Sequence, residues 1–306
     1  MDATNAKPRA GYALMGGGTD LDEAFLWLCD RAGGGDLLVL RATGTDDYNP
    51  YLQKLCRLNS VATLVIPNRD AAEDPFVEKT IRDASALFIA GGDQANYINF
   101  WMSTPVQDAL NADIARGIPL GGTSAGLAVM GEWAYSAQGD KPDDPELTSK
   151  TALAYPFGPR VTIVPRYSSE PPFLSIPQLN LIITDTHFSK RDRMGRLLVF
   201  LARAQMNMIK PWQAQGVGID ESTAVLVNQD GRAKIVGRGN AYFLQPTVRA
   251  ERVQPGKALT FTGVTVHKLR AGGRFRLFEW EGRGKVYTLS VKDGVIRSTQ
   301  AGGAIY

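Results

Sequence analysis

Along the first two-thirds of the chain, short apolar runs alternate with segments whose apolar residues recur at helical spacing. Residues 12–15 form a brief apolar run ending in Gly16-Gly17-Gly18, after which Asp20 is placed to cap a helix through Arg31, with Ala24, Phe25 and Leu28 on one face. Residues 37–40 and 61–66 read as buried strands, with a helix near 51–58 between them. Asp74-Pro75 combines a capping side chain with proline at the first helical position, and the helix it opens runs to about Ala84. Residues 86–90 form the next strand, closed by Gly91-Gly92-Asp93-Gln94. A helix over 105–116 and a strand over 118–121 then lead into Thr123-Ser124-Ala125-Gly126, with 125–133 compatible with a helix. Further on, 181–184 is strand-like and 190–205 helical.

Strands alternating with helices predict an α/β fold built on a mostly parallel sheet with helices on both faces. In such sheets the ligand site lies beyond the carboxyl ends of the strands. The loops at 16–18, 91–94, 122–126 and 185–189 all follow a strand and are therefore expected along one edge. Residues 139–177 are proline-rich and irregular, which fits a flap beside the site or an ordinary surface insertion. After about Asn228 the pattern changes to short strands (233–236, 258–261, 265–269, 275–280, 286–291 and 295–297) separated by glycine-bearing turns. The expected organisation is an α/β catalytic domain over 1–228 and a β-rich extension over 229–306 packed on it.

Composition removes several classes of function. The formal charge is only +3 and the basic residues are scattered, so neither nucleic acid nor a membrane surface is indicated as a partner. No apolar run is long enough to span a bilayer, and the N-terminus shows no basic and apolar export signal, although a trimmed leader leaves the compartment open. Only two histidines, His187 and His267, and two cysteines, Cys29 and Cys56, occur, in no metal-ligand spacing, so no metal or other cofactor is expected. The plainest reading of the cysteines is a pair of buried thiols, with a disulfide as the alternative.

Gly122-Thr123-Ser124-Ala125-Gly126 fits the G-x-S-x-G turn in which flanking glycines let a strand bend sharply into a helix and lift a serine hydroxyl above the sheet. A serine nucleophile needs a base. His187 follows a strand on the expected edge, whereas His267 falls inside a C-terminal strand. Lys190, Arg191, Arg193 and Arg196 crowd the start of the following helix, either as a solvated face or as a fork for a substrate carboxylate. Asp220 and Glu221 end a strand and point to opposite faces, so one of them, Glu221 in our reading, can orient His187. The N–H groups of Ala125 and Gly92 are candidates for an oxyanion hole, and Gln94 for holding substrate.

These segments, in this order, resemble the cyanophycinase family and its relative peptidase E, an aspartyl dipeptidase. The similarity runs over about residues 10–228 and rests on Gly91-Gly92-Asp93-Gln94, the 122–126 turn, Asp185-Thr186-His187-Phe188 with Arg191, Arg193, Gly195 and Arg196, and Gly218-Ile219-Asp220-Glu221. The resemblance implies a class I glutamine amidotransferase-like fold, a homodimer, and a Ser124-His187-Glu221 triad. It also implies an oxyanion hole from Gly92 and Ala125, and a pocket for an aspartyl unit shaped by Gln94, Asp185, Thr186, Arg191 and Arg193. Cyanophycinases usually carry glutamine where Thr186 stands, which directs attention from cyanophycin toward other aspartyl or β-aspartyl peptides. Two readings stand against this one. An α/β-hydrolase esterase would order its triad as Ser124, Asp220 or Glu221, then His267. A non-catalytic protein would use the same pocket only to bind aspartyl peptides.

Overall fold

The computed structural model describes residues 5–141, 143–165, 170–208 and 210–306. Strand Gly11–Met15 lies at the centre of a nine-stranded sheet. On one side of it follow Leu120–Thr123, Ala86–Ile89, Asp36–Arg41 and Ser60–Val65, all parallel. On the other side Thr223–Asn228, Arg232–Gly237, Arg274–Arg276 and Glu281–Gly282 are antiparallel.

A second, six-stranded sheet joins Ile182–Asp185 in parallel to Gln215–Ile219, then continues antiparallel through Asn240–Pro246, Phe261–Arg270, Lys285–Lys292 and Val295–Ser298. The α/β expectation holds, but the single mostly parallel sheet becomes two mixed sheets. The reason is connection length: the strands from Gln215 onward are joined mainly by turns too short for a crossover helix, and such turns return the chain antiparallel. Strands Thr223–Asn228 and Asn240–Pro246, which the hydrophobic pattern did not separate, are the central members of this part.

Alternation along the strands sets the layers. Ala13, Met15, Val39 and Phe88 face helices Asp22–Arg31 and Tyr48–Leu55, whereas Tyr12, Leu14, Leu40 and Ile89 face helices Pro75–Arg82, Gln94–Trp101 and Pro105–Ala115. Val217, Ile219 and Phe243 of the second sheet join that latter core, and Tyr242, Leu244 and Val266 turn the other way onto helix Met194–Ala204.

Several local expectations change. Asp74 does cap its helix, accepting from the Phe76 N–H at 2.8 Å. Asp20 caps nothing: the helix begins at Asp22, and the Asp20 carboxylate instead accepts from the Tyr48 hydroxyl at 2.6 Å. The helix expected over 125–133 stops at Ala128, and the one expected from 190 begins only at Met194, after a turn that takes Asp192 to φ 47°. Thr260 makes only an isolated bridge to Arg252, and the strand that follows runs unbroken over Phe261–Arg270. Cys29 and Cys56 are not thiols but a disulfide, tying the end of helix Asp22–Arg31 to the end of helix Tyr48–Leu55.

Candidate active site

The turn after strand Leu120–Thr123 is sharp because its glycines permit close approach. A Cβ on Gly126 would lie 2.1 Å from the Ile89 carbonyl oxygen, and one on Gly122 would lie 2.8 Å from the Gly126 backbone. Between them Ser124 is held at φ 51°, ψ −116°, a conformation a non-glycine residue keeps only where its surroundings enforce it. Its N–H donates to the Met15 carbonyl at 3.2 Å, and its carbonyl accepts from Ala128 at 2.9 Å.

His187 is brought to the serine by the first glycine loop. The His187 N–H donates to the Gly16 carbonyl at 2.8 Å, and the ring lies so close over Gly17 that a Cβ there would sit 2.5 Å from Nε2. His187 Nε2 is 2.7 Å from Ser124 Oγ, and Nδ1 is 2.7 Å from Glu221 Oε1. Glu221 Oε2 accepts from Lys190 Nζ at 2.6 Å. The neighbouring Asp220 faces away and accepts from the backbone N–H groups of Ser189 at 2.9 Å and Asn240 at 3.0 Å. The two strand-end carboxylates thus divide the work: Asp220 fixes the loop and Glu221 meets the imidazole.

Burial pushes the His187 pKa below the ordinary histidine value. The hydrogen bond to Glu221 opposes that shift, and the positive charges of Arg191 and Arg193 reinforce it. The imidazole is therefore neutral at pH 7, with Nε2 free to accept from the serine when Nδ1–H donates to Glu221. Hydrogen bonds from Lys190 and then His187 hold the Glu221 carboxyl below the usual carboxylate range. His267, in contrast, sits within strand Phe261–Arg270 opposite Phe243, and its ring meets the edge of Phe275. Ser124 takes His187 as its partner, which removes the geometry that the α/β-hydrolase reading requires.

Ser124 and His187 open into a cleft of about 340 Å³, also lined by Asp20, Arg41, Tyr48 and Arg191. A larger groove of about 1130 Å³ lies across the antiparallel strands beside Trp27 and Phe275 and holds none of the candidate residues. Gly91 lines the cleft and Gly92 follows at φ 155°, with the Tyr97 hydroxyl donating to the Ala90 carbonyl at 2.8 Å beneath them. Ala125 follows Ser124 as the first residue of the short helix, and Gln94 begins helix Gln94–Trp101 with its side chain outside the cleft lining.

The remaining predicted residues separate into two groups. Arg191 is half exposed and lines the cleft, 3.7 Å from Glu146 and 3.8 Å from Glu221. Asp185, Thr186 and Arg193 are buried. Asp185 receives two hydrogen bonds from Arg196, at 2.8 and 2.5 Å. Arg193 donates to the Thr186 carbonyl at 2.9 Å, to its hydroxyl at 3.1 Å and to Glu146 at 2.6 Å. Burial lowers the Arg193 pKa to about 10, with Arg196 adding to the effect, while Asp185 and Glu146 oppose it. These three residues brace the loop that carries His187 from behind.

Sequence reasoning did not find Asp20, Arg41 and Tyr48 as cleft residues, nor Glu146 as the partner of the arginines. Arg41 had a signal, since it ends a parallel strand on the same carboxyl edge as Ser124 and His187. Glu146 had none, because only the fold brings the irregular 139–177 stretch against the arginines. Among the described residues no group of three or more His, Cys, Asp or Glu is arranged to hold a metal, and no helix is long and apolar enough to cross a membrane.

Residues 14–236 match the model of peptidase family S51. The chain is 29% identical over 226 residues to a cyanophycinase of Nostoc sp., covering 72% of this chain and 66% of that protein. It is 26% identical over 261 residues to a cyanophycinase of Synechococcus elongatus, covering 81% and 72%. The Nostoc match thus spans just under two thirds of that relative's length. The crystal structure of a peptidase from an acI-B1 Actinobacterium superposes with a TM-score of 0.55 at 17% identity, covering 88% of this chain and 97% of that one, a likeness of fold. The resemblance read from the motifs is shown by these matches: the chain belongs to peptidase family S51.

Proposed function

We propose that this protein is a serine peptidase that hydrolyses aspartyl or β-aspartyl peptide bonds through an acyl-enzyme. The observation that carries the proposal is the continuous hydrogen-bonded line from Ser124 Oγ through His187 to Glu221, with both contacts at 2.7 Å. In this reading the 122–126 turn is a nucleophile elbow. Ser124 Oγ attacks the scissile carbonyl carbon as His187 Nε2 takes its proton, and the imidazolium is stabilised by Glu221 through Nδ1–H. The oxyanion is received by the N–H groups of Ala125 and Gly92. Collapse of the tetrahedral intermediate breaks the C–N bond, and His187 returns the proton to the leaving amine. Water then attacks the ester with His187 again as base, which releases the acid and restores Ser124.

The positive side chains around the cleft support an acidic acyl residue, and the likeness to cyanophycinases supports cyanophycin as one source of it. Amine release from cyanophycin and from α- and β-aspartyl dipeptides, with Ser124→Ala alongside, tests the proposal. Cleavage of at least one of these by wild type only is the expected result. Cleavage confined to dipeptides places the substrate among small aspartyl peptides, and equal cleavage by Ser124→Ala would remove Ser124 as nucleophile.

A further inference from the structure

The four cations that offered either a solvated face or a fork for a substrate carboxylate are largely compensated by the protein's own carboxylates. Lys190 is bonded to Glu221, Arg193 to Glu146, and Arg196 to Asp185, while Arg191 lies between Glu146 and Glu221. One cleft cation remains. Arg41, at the end of strand Asp36–Arg41, has no carboxylate within 4.0 Å among the described residues. Its guanidinium is nonetheless fixed: Nε donates to the Thr43 carbonyl and Nη1 to the Thr45 carbonyl, both at 2.7 Å, and Gly44 packs so tightly that a Cβ there would lie 2.2 Å from Nη2.

We propose that Arg41 is the residue of the Ser124 cleft that binds the substrate's carboxylate. A guanidinium on a half-buried arginine that is uncompensated, immobilised by the carbonyls of its own 43–45 loop and open to the same cleft as the nucleophile has the properties of a preorganised anion anchor. Beside it, Tyr48 is oriented by its hydrogen bond to Asp20, and the Asp20 charge repels a carboxylate from that side of the cleft. The acyl residue is thus steered so that its carboxylate lies toward Arg41 and its carbonyl toward Ser124. Specificity comes from the strand 36–41 edge, while the 185–196 segment holds the base.

This inference rests on the aspartyl-peptidase reading of the cleft, and calorimetric binding to a Ser124→Ala background separates the two. The probes are the dipeptides Asp-Leu and β-Asp-Leu, with Asn-Leu as the neutral counterpart. Arg41→Gln is expected to weaken at least one aspartyl dipeptide by about tenfold or more, the consequence of losing a charge-assisted hydrogen bond, and to leave Asn-Leu within about twofold. Arg41→Lys, which keeps the charge without the fork, falls between. Equal weakening of acidic and neutral dipeptides would indicate a damaged 41–45 loop and overturn the assignment. So would unchanged affinities, or a wild-type cleft with no preference for aspartyl over asparaginyl dipeptides. Arg41-dependent binding with no hydrolysis by the Ser124-containing enzyme would leave the anchor standing and remove the peptidase reading.

Discussion

His187 and His267 are the chain's two histidines, and burial lowers the pKa of both, yet their surroundings differ in every other respect. His187 stands at the carboxyl end of a parallel-paired strand, at φ 47°, with an oxygen 2.7 Å from each ring nitrogen. His267 lies in the middle of an antiparallel strand, and its Nδ1 has no hydrogen-bond partner among the described residues. A depressed pKa alone therefore does not distinguish a base from a core residue. What distinguishes them is a proton donor on one nitrogen, an acid on the other, and a backbone that leaves the strand so the ring can reach over it.

The largest effect that tests this contrast is alanine replacement of each histidine. His187→Ala should lower kcat/KM on a cleaved aspartyl peptide by about four to six orders of magnitude, as loss of a triad base does elsewhere. His267→Ala should change it by less than about twofold; a comparable loss in both variants would erase the distinction. Glu221→Gln is next, with an expected loss of about 10³ to 10⁴ in kcat, because an amide no longer fixes the tautomer or stabilises the imidazolium.

A stability experiment sharpens the contrast from behind the site. Arg193→Met leaves Glu146 without its closest partner and frees the Thr186 carbonyl, which should cost about 3 kcal/mol in denaturant unfolding. An effect near zero would mean that the His187 loop does not depend on this brace. Loss of the Cys29–Cys56 bridge in the double serine variant should cost about 2–4 kcal/mol, measured the same way.

The smallest effect is on pH dependence. As the proposed base His187 must be neutral to act, and burial sets its pKa below the ordinary value, so the acid limb of kcat/KM should fall below pH 6.5. Arg191 lowers that pKa by charge repulsion of the imidazolium, so Arg191→Ala should move the limb to higher pH. Movement in the opposite direction would contradict the electrostatic account.

The Ser124–His187–Glu221 contacts and the glycine loops around them were legible in the sequence because each depends on local chemistry: a turn only glycine allows, a histidine just past a strand, a carboxylate pair at a strand end. Long-range pairing was not legible. Nothing near Arg193 in sequence points to Glu146, 47 residues away, and the two cysteines carry no sign of a partner until helices Asp22–Arg31 and Tyr48–Leu55 stand side by side. The parallel half of the fold followed from its alternation of strands and helices. The antiparallel half was underestimated because strands Thr223–Asn228 and Asn240–Pro246 adjoin other strands through short turns and do not stand out as separate elements. Arg41 was passed over because an arginine ending a strand looks like an ordinary surface charge until its loop is folded around it.

The most direct test of the central claim is active-site labelling. The wild-type enzyme, the Ser124→Ala variant and the His187→Ala variant are treated with a fluorophosphonate, and the adducts are located by mass spectrometry. The account predicts a single adduct on Ser124 in wild type, none in Ser124→Ala, and at most slow labelling in His187→Ala, because the hydroxyl then lacks its base. Rapid labelling of Ser124 that survives removal of His187, or an adduct on any other residue, would contradict it.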